Sequence, residues 1–190
     1  AEKELKRGIE LNPNYALGYM FYSLYLTIVG EHEEAIKFNK IALELDPFSV
    51  SMNVTLGNQY FEARQYDRAV EQLIYALEMN PDNWHVHWSL GMAYTQKEMY
   101  ETAISEQEKA IILSARNPFV LSSLGHTYAI AGKRPEAMKI LDEVIQISKQ
   151  RYVAPFAVAQ IHIGLGNKDQ AFEWLEKGFQ DRSASMIWLG

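Results

Sequence analysis

A period of 34 residues constrains this chain more than any other feature. Alanine recurs at Ala1, Ala35, Ala69, Ala103, Ala137 and Ala171 with no insertion between copies. In the same register Ser23, Gly57, Gly91, Gly125 and Ala159 form a column of small residues. Leu26, Tyr60, Tyr94, Tyr128 and His162 form a mostly aromatic column, and Leu56, Leu90 and Leu124, flanked by Tyr22 and Val158, a fourth. A fixed period of roughly 20–50 residues marks a stacked repeat, in which each copy covers the apolar face of its neighbour. The strings LGNQYFEARQYDRAV, LGMAYTQKEMYETAI and LGHTYAIAGKRPEAM each place a glycine inside a helix-forming run. That glycine costs about 1 kcal/mol against alanine. The expected compensation is close approach by the second helix of the same unit, with the alanine of that helix as its thin spot. A methyl at Gly57 is then expected to be absorbed more readily than an isopropyl at Gly91.

The pattern of leucine, small residue, tyrosine and later alanine, closed by Pro13, Pro47 and Pro81, resembles the tetratricopeptide repeat. Ala115, Lys149 and Ser183 replace the closing proline further on, and Asn53, His87 and Pro155 stand where the family often has a bulky residue, which is expected to weaken individual packing contacts. The resemblance implies an all-α, right-handed superhelical solenoid of antiparallel helix pairs, A then B. It divides the chain into a partial repeat at 1–15 (helix B alone), full repeats at 16–49, 50–83, 84–117, 118–151 and 152–185, and the start of a further helix at 186–190. Start and stop signals place helices near 1–11, 15–29, 31–45, 49–63, 66–79, 83–96, 100–114, 118–131, 134–148, 152–165 and 168–180. Asp82 or Asn83 caps the third A helix, Asn117–Pro118 opens the fourth, and Gly30, Gly132 and Gly166 fall in A-to-B turns. The array is expected to be a fragment of a longer one. The closing GLGNKDQAFEWLEKGF resembles repeats of bacterial multidomain proteins.

Composition narrows the function. Eighteen Lys and Arg against 24 Asp and Glu give a net charge of −6, which opposes nucleic-acid binding. There is no cysteine, hence no disulfide framework and no thiolate chemistry, which fits a reducing compartment; the expected location is cytoplasmic. AEKELKRGIEL reads as an amphipathic helix rather than a secretory leader. The stretch from Tyr15 to Val29 is shorter than the ~20 residues a membrane span needs. Without an HExxH motif, and with histidines scattered over separate repeats, neither a metal nor any other cofactor is expected, nor an enzyme.

Charge is unevenly distributed between the helix types. B helices carry runs such as EHEEAIKFNK, read as solvated faces, whereas Glu62 is the only ionised residue in the first thirteen positions of the five A helices. The family resemblance implies that A helices line the concave face. Its ligand-facing positions fall on Leu17, Met20, Phe21, Leu24, Asn58, His85, Trp88, Met92, Phe119, Ser122, His126, Phe156 and Gln160, an apolar and neutral-polar stripe. No lysine or arginine stands there to grip a terminal carboxylate. The expected function is a protein-interaction scaffold that binds an apolar or amphipathic peptide segment. The alternative is a regulatory, sensory or oligomerisation arm of a larger signalling protein, such as a transcription regulator, cyclase or kinase. Expected partners are a protein or peptide, and a second copy meeting at the ends through Leu5, Ile9, Met186, Ile187, Trp188 and Leu189; nucleic acid and membrane are not expected.

Overall fold

The computed structural model describes residues 1–181, and every regular element among them is an α-helix. These are α1 (Glu2–Leu11), α2 (Ala16–Ile28), α3 (His32–Leu45), α4 (Val50–Glu62), α5 (Tyr66–Met79), α6 (Trp84–Gln96), α7 (Tyr100–Leu113), α8 (Pro118–Ile130), α9 (Arg134–Ser148), α10 (Pro155–Gly164) and α11 (Lys168–Gln180). The further helix expected at 186–190 lies outside the described residues. Contacts divide the chain within α6 into two compact units, Ala1–Ala93 and Tyr94–Gly190. In the first, α2 packs on α3 and α4 on α5, with α4 also against α3 and α2. In the second, α8 packs on α9, α10 on α11, α7 on α8, and α10 on α8 and α9. Consecutive helix pairs are thus the building block of both.

The repeating columns are the core. Ala35, Ala69, Ala103 and Ala137 are fully buried, and Leu56, Leu124, Tyr22 and Val158 nearly so. A β-carbon built on Gly57 would lie 2.6 Å from Leu73 Cγ of α5, the B helix of the same pair. At Gly125 it would meet Ile140 Cγ2 of α9 at 3.0 Å and Ile161 Cδ1 of α10 at 2.9 Å. The glycine column therefore buys close interhelical contact, as expected from the sequence. A methyl at Gly57 is itself costly, because the branch point of the fully buried Leu73 already fills that space.

The A-to-B turns repeat as faithfully. Gly30, Gly132 and Gly166 adopt positive φ, and Arg64 and Glu98, one in each intervening turn, do the same at φ 57° and 59°. Each turn is closed by a bond from the N–H after this residue back to a carbonyl in the last turn of the A helix: Glu31 to Leu26, Gln65 to Tyr60, Met99 to Tyr94, Lys133 to Tyr128, Asn167 to His162.

Three local features depart from the sequence expectation. Helix α10 begins at Pro155 rather than 152; Ala154 is extended (ψ 128°) because the proline ring disfavours a helical residue before it. Asn53 and His87 are latches, not gaps. The Asn53 amide donates to Pro47 O (3.2 Å) and Ser49 O (2.9 Å) and its carbonyl accepts from Gln72 (2.6 Å), while His87 Nε2 pairs with Pro81 O at 2.9 Å. Leu5 and Ile9 of α1 pack on the Tyr22–Leu26–Ala35 cluster instead of standing bare. At the helix starts, Asn83 rather than Asp82 caps α6 by accepting from His85 N, and Asn117 caps α8 by accepting from Phe119 N, both at 3.0 Å.

Two stability outcomes are expected. Gly57→Ala should destabilise the chain by about 1–3 kcal/mol, and combining it with Leu73→Ala should cost less than the sum of the two, read by denaturant unfolding of all four species. Additivity would mean that Gly57 and Leu73 do not share the space. Arg64→Gly should gain roughly 0.5–1 kcal/mol, the left-handed penalty of an L residue less the entropy glycine loses. An unchanged or lower melting temperature would contradict the strain.

Candidate functional site

In the first unit the A-helix face carries its most open apolar surface on α2. Leu17, Phe21, Leu24 and Ile28 are spaced four, three and four apart and so share one side of the helix. Leu17 is half-buried, while Phe21, Leu24 and Ile28 are 51%, 38% and 60% exposed. Met20 does not belong with them. It is buried in a cluster with Ala42 and Met52, because it lies on the side of α2 facing its neighbours. Ile28, absent from the sequence-derived set, was signalled by the same spacing one turn beyond Leu24.

On α4 the corresponding surface is polar: Ser51 is exposed, Thr55 and Asn58 half-buried, and Thr55 Oγ1 donates to Ser51 O at 2.8 Å. Beneath it, Gln59 Nε2 donates to Ser23 Oγ (2.9 Å) and lies 3.3 Å from Thr27 Oγ1, stapling α4 to α2. On α6 the rings of Trp84 and His85 lie 3.8 Å apart and those of His85 and Trp88 6.3 Å apart. His85 is exposed, and Trp88 and Met92 are half-buried.

In the second unit the expected residues sit deeper. Phe119, His126, Phe156 and Gln160 are half-buried. Ser122 is fully buried, with its hydroxyl 2.8 Å from Phe119 O and 3.2 Å from Gln160 Oε1; it joins α8 to α10 rather than facing a ligand. Burial holds the imidazole of His126 below the ordinary histidine range, and His126 packs against Gly164. Exposed Ile130 and Ile163 end the two helices.

The B-helix side is not the featureless solvated surface its charge suggests. In the first unit α3, α4 and α5 enclose a groove of about 770 Å³ around Tyr60, whose ring is approached by Lys40 Nζ and by the Arg68 guanidinium, each 5.9 Å from its centroid. In the second unit a groove of about 380 Å³ occupies the same register, two repeats further along the chain. There Tyr128 donates to Glu108 (3.2 Å), and burial with the charges of Glu108, Glu136 and Glu101 pushes its phenol up to about 12. Nearby Arg116 and Glu143 form a two-pronged ion pair at 2.7 Å. Among the described residues no group of three His, Asp or Glu could hold a metal ion, and no helix is long and apolar enough to cross a membrane.

Comparison with known proteins agrees with this architecture. Among solved structures, YrrB, described as a TPR protein with an unusual peptide-binding site, is 24% identical over all of this chain and 97% of its own, with a TM-score of 0.62. TTC0263, a thermophilic TPR protein of Thermus thermophilus, is 17% identical over 92% of this chain and 95% of its own (TM-score 0.74). A chain of the APC/C hetero-tetramer Cut9–Hcn1 is 18% identical over 98% of this chain and 37% of its own (TM-score 0.74). At such identities the likeness is one of fold, and matches over nearly whole chains give the fragment expectation no support. No curated protein sequence matches. Two sequence models of the tetratricopeptide repeat match residues 54–119 and 120–153, together just over half of the chain. With this coverage, and the helix pairs repeating at 34 residues, the chain belongs to the tetratricopeptide repeat family.

Proposed function

We propose that the chain is a non-catalytic interaction scaffold whose A-helix faces take up an apolar or amphipathic segment of a partner protein. Tetratricopeptide repeat proteins generally mediate protein–protein interaction, which supports the class. The observation that carries the specific reading is the stripe of Phe21, Leu24 and Ile28 on α2, left open on the helix type that lacks charge. Side chains at this spacing form the kind of ridge an amphipathic helix packs against. Burying them supplies about 25 cal/mol per Å² before entropic losses, and no row of cations stands beside them to select a charged ligand. Trp88, with the His85 ring tilted beside it and Met92 one turn further along α6, is the second anchor of the first unit. Phe119, His126, Phe156 and Gln160 play this part in the second, on the repeats at 118–151 and 152–185.

Affinity capture with mass spectrometry, comparing the native chain with Phe21→Ser/Leu24→Ser and with Trp88→Ala, tests the proposal. A genuine partner should bind the native chain almost equally at low salt and at about 0.5 M salt. It should lose about 2 kcal/mol or more of affinity to the α2 variant while the melting temperature holds. Binding that survives both variants and vanishes with salt would remove the A-helix face from consideration.

A second reading, as an oligomerisation arm, draws on α11. Phe172 and Phe179 lie two turns apart on one side of that helix and are 70% and 74% exposed. Sedimentation should show mass rising with concentration for the native chain and not for Phe172→Ser/Phe179→Ser. A monomer at all concentrations would rule the arm out.

A further inference from the structure

The groove on the B-helix side of the first unit has features that repeat packing alone does not require. Its floor is Tyr60, and two cations from separate helices, Lys40 of α3 and Arg68 of α5, converge on that one ring. Like charges gathered at one place repel; the negative face of the ring offsets this in part, and Arg68 also donates to Gln65 Oε1 at 2.9 Å. The equivalent tyrosines show that the fold has no need of this pair. In the 34-residue register of the sequence, Ile74 and Thr102 accompany Tyr94, and Glu108 and Glu136 accompany Tyr128. One tyrosine column thus tolerates apolar, neutral and acidic companions. The cation pair belongs to this groove and not to the repeat.

The groove also has a direction. Arg68 lies in the first turn of α5, and Glu71 and Glu78 follow on the same helix as lining residues, Glu78 near its end. Ten helical residues separate Arg68 from Glu78, a rise of about 15 Å. Extended chain covers that distance in about four or five residues. Between the two ends the walls are mixed: Leu43, Ile74 and Tyr75 are apolar, and the Asn53–Gln72 amide pair is polar. The volume of about 770 Å³ matches a short peptide segment rather than a single ion.

We infer that this groove is a second peptide-binding site, for an extended segment that presents an acidic residue to Lys40 and Arg68 over Tyr60 and a basic residue about four or five positions away to Glu78. The acidic side chain relieves the repulsion between the two cations, and the basic one balances the Glu78 carboxylate. A uniformly acidic segment would meet Glu78 and be rejected at that end. The site is separate from the α2 face and does not depend on it.

Random dodecapeptides displayed on phage and selected on the immobilised chain provide the test. Selected peptides should carry an acid and a base at this spacing. They should bind Lys40→Glu/Arg68→Glu at least about tenfold more weakly, weaken with added salt, and bind Phe21→Ser/Leu24→Ser undiminished. Lys40→Gln/Arg68→Gln, which removes the charges of two exposed side chains without reversing them, should give the same direction of loss at an unchanged melting temperature. Peptides lacking the acid–base pair, binding indifferent to both Lys40/Arg68 variants, or no enrichment over an unrelated protein would each overturn the site. Peptides that depend on Phe21 and Leu24 alone would overturn it while leaving the A-helix proposal standing.

Discussion

Contact between helices that carry almost no side chain where they cross is the condition on which the rest of the structure depends. Ala35, Ala69, Ala103 and Ala137 are fully buried, and at Gly57 the neighbouring leucine occupies the space of the missing β-carbon. Such close packing gains dispersion contacts that thicker residues forfeit, and it offsets the helix propensity lost at each glycine. It also fixes which helix faces are left over. With the B helix seated against the small-residue column, the remaining side of each A helix is free to carry function.

The fold was legible because its determinants are periodic. Alanine at one spacing over six copies, with a small-residue and a mostly aromatic column over five, cannot be satisfied by any structure that does not repeat, and the helix positions follow with errors of a few residues. The largest error, at α10, arose where the period placed a helix start at 152 and the local rule at Pro155 prevailed. The turns at Arg64 and Glu98 were hidden for a related reason: their side chains do not announce a left-handed backbone, and only their register with Gly30, Gly132 and Gly166 does.

The candidate site was legible only in outline. Counting along a helix identifies a face but not how far a neighbour covers it, so Met20 and Ser122 fell within the expected stripe although both are buried. Ser122 is engaged with Gln160, a partner 38 residues away whose approach no local pattern reveals. The groove at Tyr60 was missed because Lys40 and Arg68 belong to different repeats and read separately as solvated charges. Asn53 and His87 looked like defects in a bulky column, yet each bonds the carbonyl of the proline six residues before it.

The polar contacts between successive A helices have a bearing on assembly order. Repeats that are near-copies offer nearly interchangeable apolar surfaces, so hydrophobic contact alone discriminates poorly between the proper neighbour and another copy. Here the junctions differ in chemistry: Gln59 reaches Ser23 and Thr27, Thr95 meets Thr127 at 2.9 Å, and Ser122 meets Gln160. Ser23, Thr27, Ser122 and Thr127 also donate to carbonyls of their own helices, but α2 seated beside the wrong neighbour strands the buried Gln59 amide, at a cost of about 1–3 kcal/mol. At these three junctions a few atoms act as an address system, marking a particular neighbour within a sequence that otherwise repeats itself.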